Sequence, residues 1–191
     1  SWQTKPSAIR KHDIYNGEVY DARLETPQWA EPEAAGEGWQ AVKVVKGPCG
    51  QLTAQTSPSD KVTETLKPRS LKRNADGSVS VDFGKEISGW IHFKNIKAKA
   101  GDSLKVEFVC EQPNGEQTYI CSGSGKENYA PHFTWYVFSS ATIRGVANLM
   151  ADQILAEAVN TDVPPTAQFH TSNALYNKIN EIWQRSQLDN M

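Results

Sequence analysis

The side chains able to do chemistry are dispersed along this 191-residue chain. Asp82, Glu86, Glu107 and Glu111 are the carboxylates that could pair as a general acid and base. They alternate with apolar residues, however, and that pattern marks a solvated strand face. His12, His92, His132 and His170 stand at intervals that match no metal-binding spacing and read as structural or surface histidines. No metal and no cofactor is expected. There is no Gly-x-Ser-x-Gly elbow, and Ser122-Gly-Ser-Gly-Lys126 lacks the spacing of a phosphate loop. The three cysteines are Cys49, Cys110 and Cys121. Cys110 and Cys121 can pair if they end facing strands; the preferred reading is small buried thiols. What remains is aromatic. Pyranose rings stack on aromatic faces with polar groups at the rim. Trp90 and His92 alternate with Ile91 and Phe93, and Tyr136 alternates with Phe133, Trp135 and Val137. A sandwich uses one face of each strand for its core, so Trp90, His92 and Tyr136 are the candidate sugar platform. The competing and favoured reading is that a neighbouring domain or helix covers that face.

The elements that would carry these residues centre on residues 79–110. Val79, Val81 and Phe83 alternate with polar residues, as do Ile91 and Phe93, and then Leu104, Val106 and Phe108. Period two predicts three successive strands, each with one buried face. Gly84 and Gly89 are read as breaks between them, and Asn74-Ala-Asp-Gly77 and Ala100-Gly-Asp102 as flanking turns. Pro113-Asn114-Gly115 predicts a hairpin, followed by strands over 117–121, 133–139, 141–146 and 153–159. Closely spaced turns and buried single faces predict an all-β fold: an antiparallel, jelly-roll-like β-sandwich with a single C-terminal α-helix. Ser172-Asn173 is the helix N-cap signal. Leu175, Ile179, Ile182 and Trp183 form one apolar face. The chain divides into residues 1–57, the end of a β-domain plus a loop; 58–160, the sandwich; and 161–191, a linker and helix.

A net charge of −2 gives no electrostatic case for nucleic acid or an anionic membrane. No apolar run approaches the ~20 residues that span a bilayer. Ser-Trp-Gln-Thr-Lys-Pro at the start does not read as a signal peptide.

Four blocks carry a family resemblance. Asp82-Phe83-Gly84 with Ile87-Ser88-Gly89-Trp90 resembles the Asp-Phe-Gly-Gln-Asn-x-Ser-Gly-Trp signature of bacterial α-L-rhamnosidases. Asn16-Gly-Glu-Val-Tyr-Asp-Ala-Arg23 is similar to a segment of that family's N-terminal domain. Tyr129-Ala-Pro-His-Phe-Thr-Trp135 resembles its Tyr-x-Pro-x-Phe-Thr-Tyr segment. Phe169-His-Thr-Ser-Asn-Ala-Leu-Tyr-Asn-Lys-Ile179 resembles the entry into its helical catalytic domain. The blocks stand in the family's order. The chain departs from the family at Glu33-Ala-Ala-Gly-Glu-Gly38, where a Phe-Asp-Asp run is usual. The resemblance implies an accessory piece of an enzyme that hydrolyses terminal rhamnose from glycans or glycosides. The acid and base would lie on a helical barrel whose Asp-Cys-Pro-x-Arg-x-Glu-Arg segment does not occur here, so no catalytic residue is assigned. The implied partners are a rhamnose-containing glycan and that missing helical domain, with self-association through the C-terminal helix as a further expectation. The alternatives from other classes are a stand-alone carbohydrate-binding module and a purely structural β-domain.

Overall fold

The computed structural model describes residues 2–31, 38–109, 115–146 and 148–190. Its strands are β1 (Gln3–Thr4), β2 (Ile9–Asp13), β3 (Gly17–Asp21), β4 (Gln40–Ala41), β5 (Asp60–Leu66), β6 (Ser70–Arg73), β7 (Val79–Ile96), β8 (Ser103–Phe108), β9 (Glu116–Ile120), β10 (Glu127–Tyr129), β11 (Tyr136–Arg144) and β12 (Ile154–Thr161). One helix, α1 (Ala174–Leu188), follows. β1 pairs with β4 in a two-stranded sheet; the other strands described form one curled sheet in the order β2-β3-β9-β8-β11-β7-β12-β5, with β6 and β10 also on β7. The fold is a jelly-roll-like sandwich with a single C-terminal helix.

The organising element is β7, and it corrects the expected breaks at Gly84 and Gly89. Both glycines lie inside one 18-residue strand. At Gly84 the backbone takes φ +79°, open to glycine at no steric cost. The ladder slips here: β11 pairs Phe138 with Ile87 but Ser140 with Asp82, where an unbroken ladder would reach Lys85. The extra residues form a bulge that bends β7. Its first half pairs with β6 and β11, and its second half with β12 and β10. One strand therefore serves both layers, as corner strands of folded-over sheets do. Gly89 is needed for approach: a Cβ there would stand 1.8 Å from the Glu157 carbonyl oxygen on β12.

Val79, Val81, Ile91 and Phe93 of β7 point into a core completed by Leu104, Val106, Phe138, Ile143 and Ile154. Burying each such side chain contributes about 1.5–3 kcal/mol. Between the end of the β11 pairing at Gly89 and the start of the β10 pairing at Phe93, one edge of β7 has no strand among the described residues. The buried Gln117 side chain of β9 fills the gap, accepting from the Ile91 N–H and donating to the Ile91 carbonyl. An amide does here what a ladder residue does elsewhere, which keeps both backbone groups paired.

The sheet is mixed at one place. β3 runs parallel to β9, from Gly17 opposite Glu116 to Asp21 opposite Ile120. Parallel neighbours need a long crossover, and here the connection is most of the sandwich itself. Residues 9–21 are thereby added to the sheet as its edge. The Asp13 carboxylate fixes the β2–β3 turn by accepting from the Tyr15 and Asn16 N–H groups, 2.8 Å each.

Other elements differ in extent from the expectation. The two strands expected over 133–139 and 141–146 are one, β11. Pro113 and Asn114 of the expected hairpin, Cys110 and Glu111, and residues 33–37 of the departing loop lie outside the described residues. The strands on either side of that hairpin pair antiparallel. Cys121 is a buried free thiol, and burial pushes its pKa up to about 12.

Candidate functional site

Of the expected platform, the structure keeps two members together and removes the third. Trp90 and His92 lie on the outer face of β7, opposite the buried Ile91 and Phe93. Trp90 faces Glu157 directly across the β7–β12 ladder. The Trp90 indole Nε1–H donates to Glu157 Oε2 at 2.9 Å, and His92 Nδ1 lies 2.6 Å from Glu157 Oε1. A buried carboxylate thus holds an indole and an imidazole in fixed orientations.

Tyr136 is not on that face. It is 1% exposed, stacks on Phe108 at 4.3 Å between centroids, and belongs to the core. Phe133, Trp135 and Val137 are the exposed residues. Counting back by two from the buried Ala141 and Ile143 selects Phe133, Trp135 and Val137 as the inward set. The slip between Phe138 and Ser140 reverses the parity, so Tyr136 and Phe138 point inward. Two glycines make room for the ring: a Cβ at Gly115 would lie 1.9 Å from the Tyr136 ring, and one at Gly17 would lie 2.4 Å from its hydroxyl.

A second polar cluster joins two sequence blocks far apart in the chain. Glu18 of β3 is wholly buried. Its Oε1 accepts from the Tyr129 hydroxyl and bonds His132 Nδ1, and its Oε2 accepts from the His132 N–H, each at 3.0 Å. Burial alone would push the Glu18 carboxyl up, but the bonds from His132 and Tyr129 prevail and hold it below its usual range. The same contact with Glu18 raises the His132 pKa. Glu127 of β10 is also buried, accepting from the Tyr119 hydroxyl and from the Ser122 and Gly123 N–H groups. Sequence reasoning passed over Glu18, Glu127 and Glu157. A lone carboxylate inside the apolar run Leu-Ala-Glu-Ala-Val was the available signal for Glu157.

A cleft of about 600 Å³ opens beside the second cluster. Tyr20, Trp29, Trp39 and His132 line it, with Pro6 and Pro27 among its other residues. Tyr20 stacks on His132 at 5.5 Å, and its hydroxyl donates to Glu25 at 2.9 Å. The Trp39 Nε1–H is buried and makes no hydrogen bond among the described residues.

At the far end, α1 begins at Asn173, whose side chain accepts from the Leu175 N–H. Asn177 ties the helix back to the linker through the Thr171 backbone N–H and carbonyl. Asp189 accepts from the Ser88 N–H at 3.0 Å, anchoring the end of α1 to β7, and burial pushes its carboxyl up. Leu175, Ile179, Ile182 and Trp183 are all exposed.

No group of three or more His, Cys, Asp or Glu residues suited to a metal ion occurs among the described residues. No helix among them is long and apolar enough to cross a membrane. The buried carboxylates join strands to one another, which defines the chain as a β-sandwich whose polar clusters do structural work. Known proteins fit that class. The model of the α-L-rhamnosidase N-terminal domain matches residues 1–64, and that of the bacterial α-L-rhamnosidase concanavalin-like domain matches residues 72–160. An α-L-rhamnosidase of Formosa agariphila is 30% identical over 211 residues, an alignment covering 100% of this chain and 22% of the relative. The solved α-L-rhamnosidase from Dictyoglumus thermophilum superposes with a TM-score of 0.93 at 27% identity, covering 100% of this chain and 23% of that one. A Streptomyces avermitilis α-L-rhamnosidase complexed with L-rhamnose shares the fold, with a TM-score of 0.89 over 97% of this chain and 19% of its own. The chain belongs to the α-L-rhamnosidase family, matches its N-terminal portion, and spans about a fifth of the length of these relatives.

Proposed function

We propose that this chain is the accessory β-sandwich portion of an enzyme that hydrolyses terminal α-L-rhamnose from glycans or glycosides. The acid and base would be carried by a helical catalytic domain continuing from α1. The observation that carries this reading is the match of the whole chain to part of α-L-rhamnosidases. The exposed apolar face of α1 supports it. Four large side chains in water forgo about 1.5–3 kcal/mol each, and a following helical domain would recover that by covering them. In this reading residues 161–191 are the linker and first helix of that domain, 58–160 are the sandwich, and 1–57 end the domain before it. The sandwich braces the catalytic domain through α1, and Trp90 and His92, locked by Glu157, form part of a rim near the substrate.

The test compares two polypeptides on nitrophenyl α-L-rhamnoside. The 191-residue chain should release no nitrophenol, and a polypeptide extended through the helical domain should release it. Turnover by the purified chain that disappears in Glu107→Gln would overturn the reading. So would micromolar rhamnose binding by this chain that Trp90→Ala abolishes, which would favour a stand-alone binding module.

A further inference from the structure

We propose that the cleft between the N-terminal edge and His132 is a second carbohydrate site, which takes a neutral pyranose unit of a glycan. It lies apart from the Trp90–His92 face and involves none of its residues. Its volume of about 600 Å³ falls within the ~300–1,000 Å³ range of small-molecule sites. Trp29 offers it a stacking surface, 68% exposed. A rigid indole gives large contact area at little conformational cost.

The polar groups are those a ring of hydroxyls needs. Trp39 lines the cleft with a buried indole N–H that makes no hydrogen bond among the described residues. Such a group is normally paired, and a sugar hydroxyl would accept from it. Ser7 and Thr26 add hydroxyls at the lining, and Lys5 and Glu25 contribute one charge of each sign. That balance suits a neutral ligand over an anion or a cation. Pro6, Pro27 and the Tyr20–His132 stack stiffen the walls, so little ordering is required on binding. His132 is itself held by Glu18, which ties this wall to the interior of the sandwich.

The ligand would be a single unit or chain end bound weakly, with a dissociation constant in the millimolar range. This proposal does not depend on the hydrolase reading: binding is measured on this chain, hydrolysis on a longer one.

The six tryptophans give six indole N–H resonances, a direct readout for the full 191-residue chain. The probes are methyl α-L-rhamnoside, methyl α-D-glucoside and methyl β-D-galactoside, each titrated to about 100 mM. The signal lost in Trp39→Phe identifies the Trp39 indole. That signal should shift saturably in the parent with at least one glycoside. Trp39→Phe, which keeps an aromatic ring, though a smaller one, and removes the donor, should weaken binding about tenfold, read on the Trp29 indole. Trp29→Ala should abolish saturation, and Trp90→Phe should leave it unchanged. The proposal is overturned by the absence of any saturable shift at Trp29 or Trp39, or by binding that survives both cleft variants. A saturable response to a hexaproline peptide with none to the glycosides would also overturn it, assigning the cleft to polyproline recognition.

Discussion

Replacing Glu18 tests the claim that a buried carboxylate holds the N-terminal edge onto the sandwich. Glu18→Ala removes the acceptor for three bonds, from the Tyr129 hydroxyl, the His132 N–H and His132 Nδ1. The His132 side chain is 48% exposed, so its imidazole can turn to water. The Tyr129 hydroxyl is deeply buried and would be stranded, and the His132 N–H would lose its acceptor. A stranded buried donor costs about 1–3 kcal/mol and a lost bond about 1 kcal/mol, so the loss should be roughly 3 kcal/mol. With an m-value of about 2 kcal/mol/M, the urea midpoint should fall by roughly 1.5 M. Glu18→Gln should be milder. Its carbonyl can accept from the His132 N–H while its amide donates to the Tyr129 oxygen and to a neutral His132 Nδ1.

The two variants also separate charge from shape. The Glu18 pKa is lowered in the folded chain, so its contribution is present above the ordinary 4.5 and is lost as pH falls through the lowered value. The His132 pKa is raised, so its contribution is present below the ordinary 6.5 and is lost as pH rises through the raised value. The pair therefore stabilises most between about pH 4.5 and 6.5, and Glu18→Gln should remove that maximum from the parent-minus-variant difference curve. Intrinsic fluorescence in urea across pH 4–8 measures both effects. A Glu18→Ala chain within about 0.5 kcal/mol of the parent, or a Glu18→Gln chain with the parent's pH profile, would refute the argument.

Gly89→Ala should prevent the β7–β12 ladder from closing, since the added carbon meets backbone; loss of chemical-shift dispersion or of expression as a folded chain is the expected result. Removing α1 should change association: light scattering should show concentration-dependent self-association for the 191-residue chain and a monomer for a truncation ending at Thr171. Monomers in both cases, with a firmly protected helix in hydrogen exchange, would show that the apolar face is covered within the chain. Asp189→Ala should speed exchange at the Ser88 amide by removing its acceptor while leaving the β7–β11 amides slow.

What the sequence determined by itself is the local grammar. Alternation at Val79, Val81 and Phe83, and again at Ile91 and Phe93, identifies core positions because side chains on a strand have period two. Asn173 identifies the start of α1 because its side chain can accept from one of the first helical N–H groups, which have no partner within the helix. The order of the four motif blocks identified the family, and the structure shows why their residues matter. Glu18 and His132 bond across the fold, Gly89 admits β12, Asp82 accepts from the Gly84 N–H at 2.9 Å, and Asn177 pins the linker. Only the tertiary structure decided register. Both alternating sets around Tyr136 are apolar, so periodicity cannot choose between them; the bulge after Phe138 does, by reversing which set meets the core. Only the fold could also pair β3 with β9 and bring Trp90 against Glu157. Those contacts join residues far apart in the chain, and their energy depends on packing that no local pattern encodes.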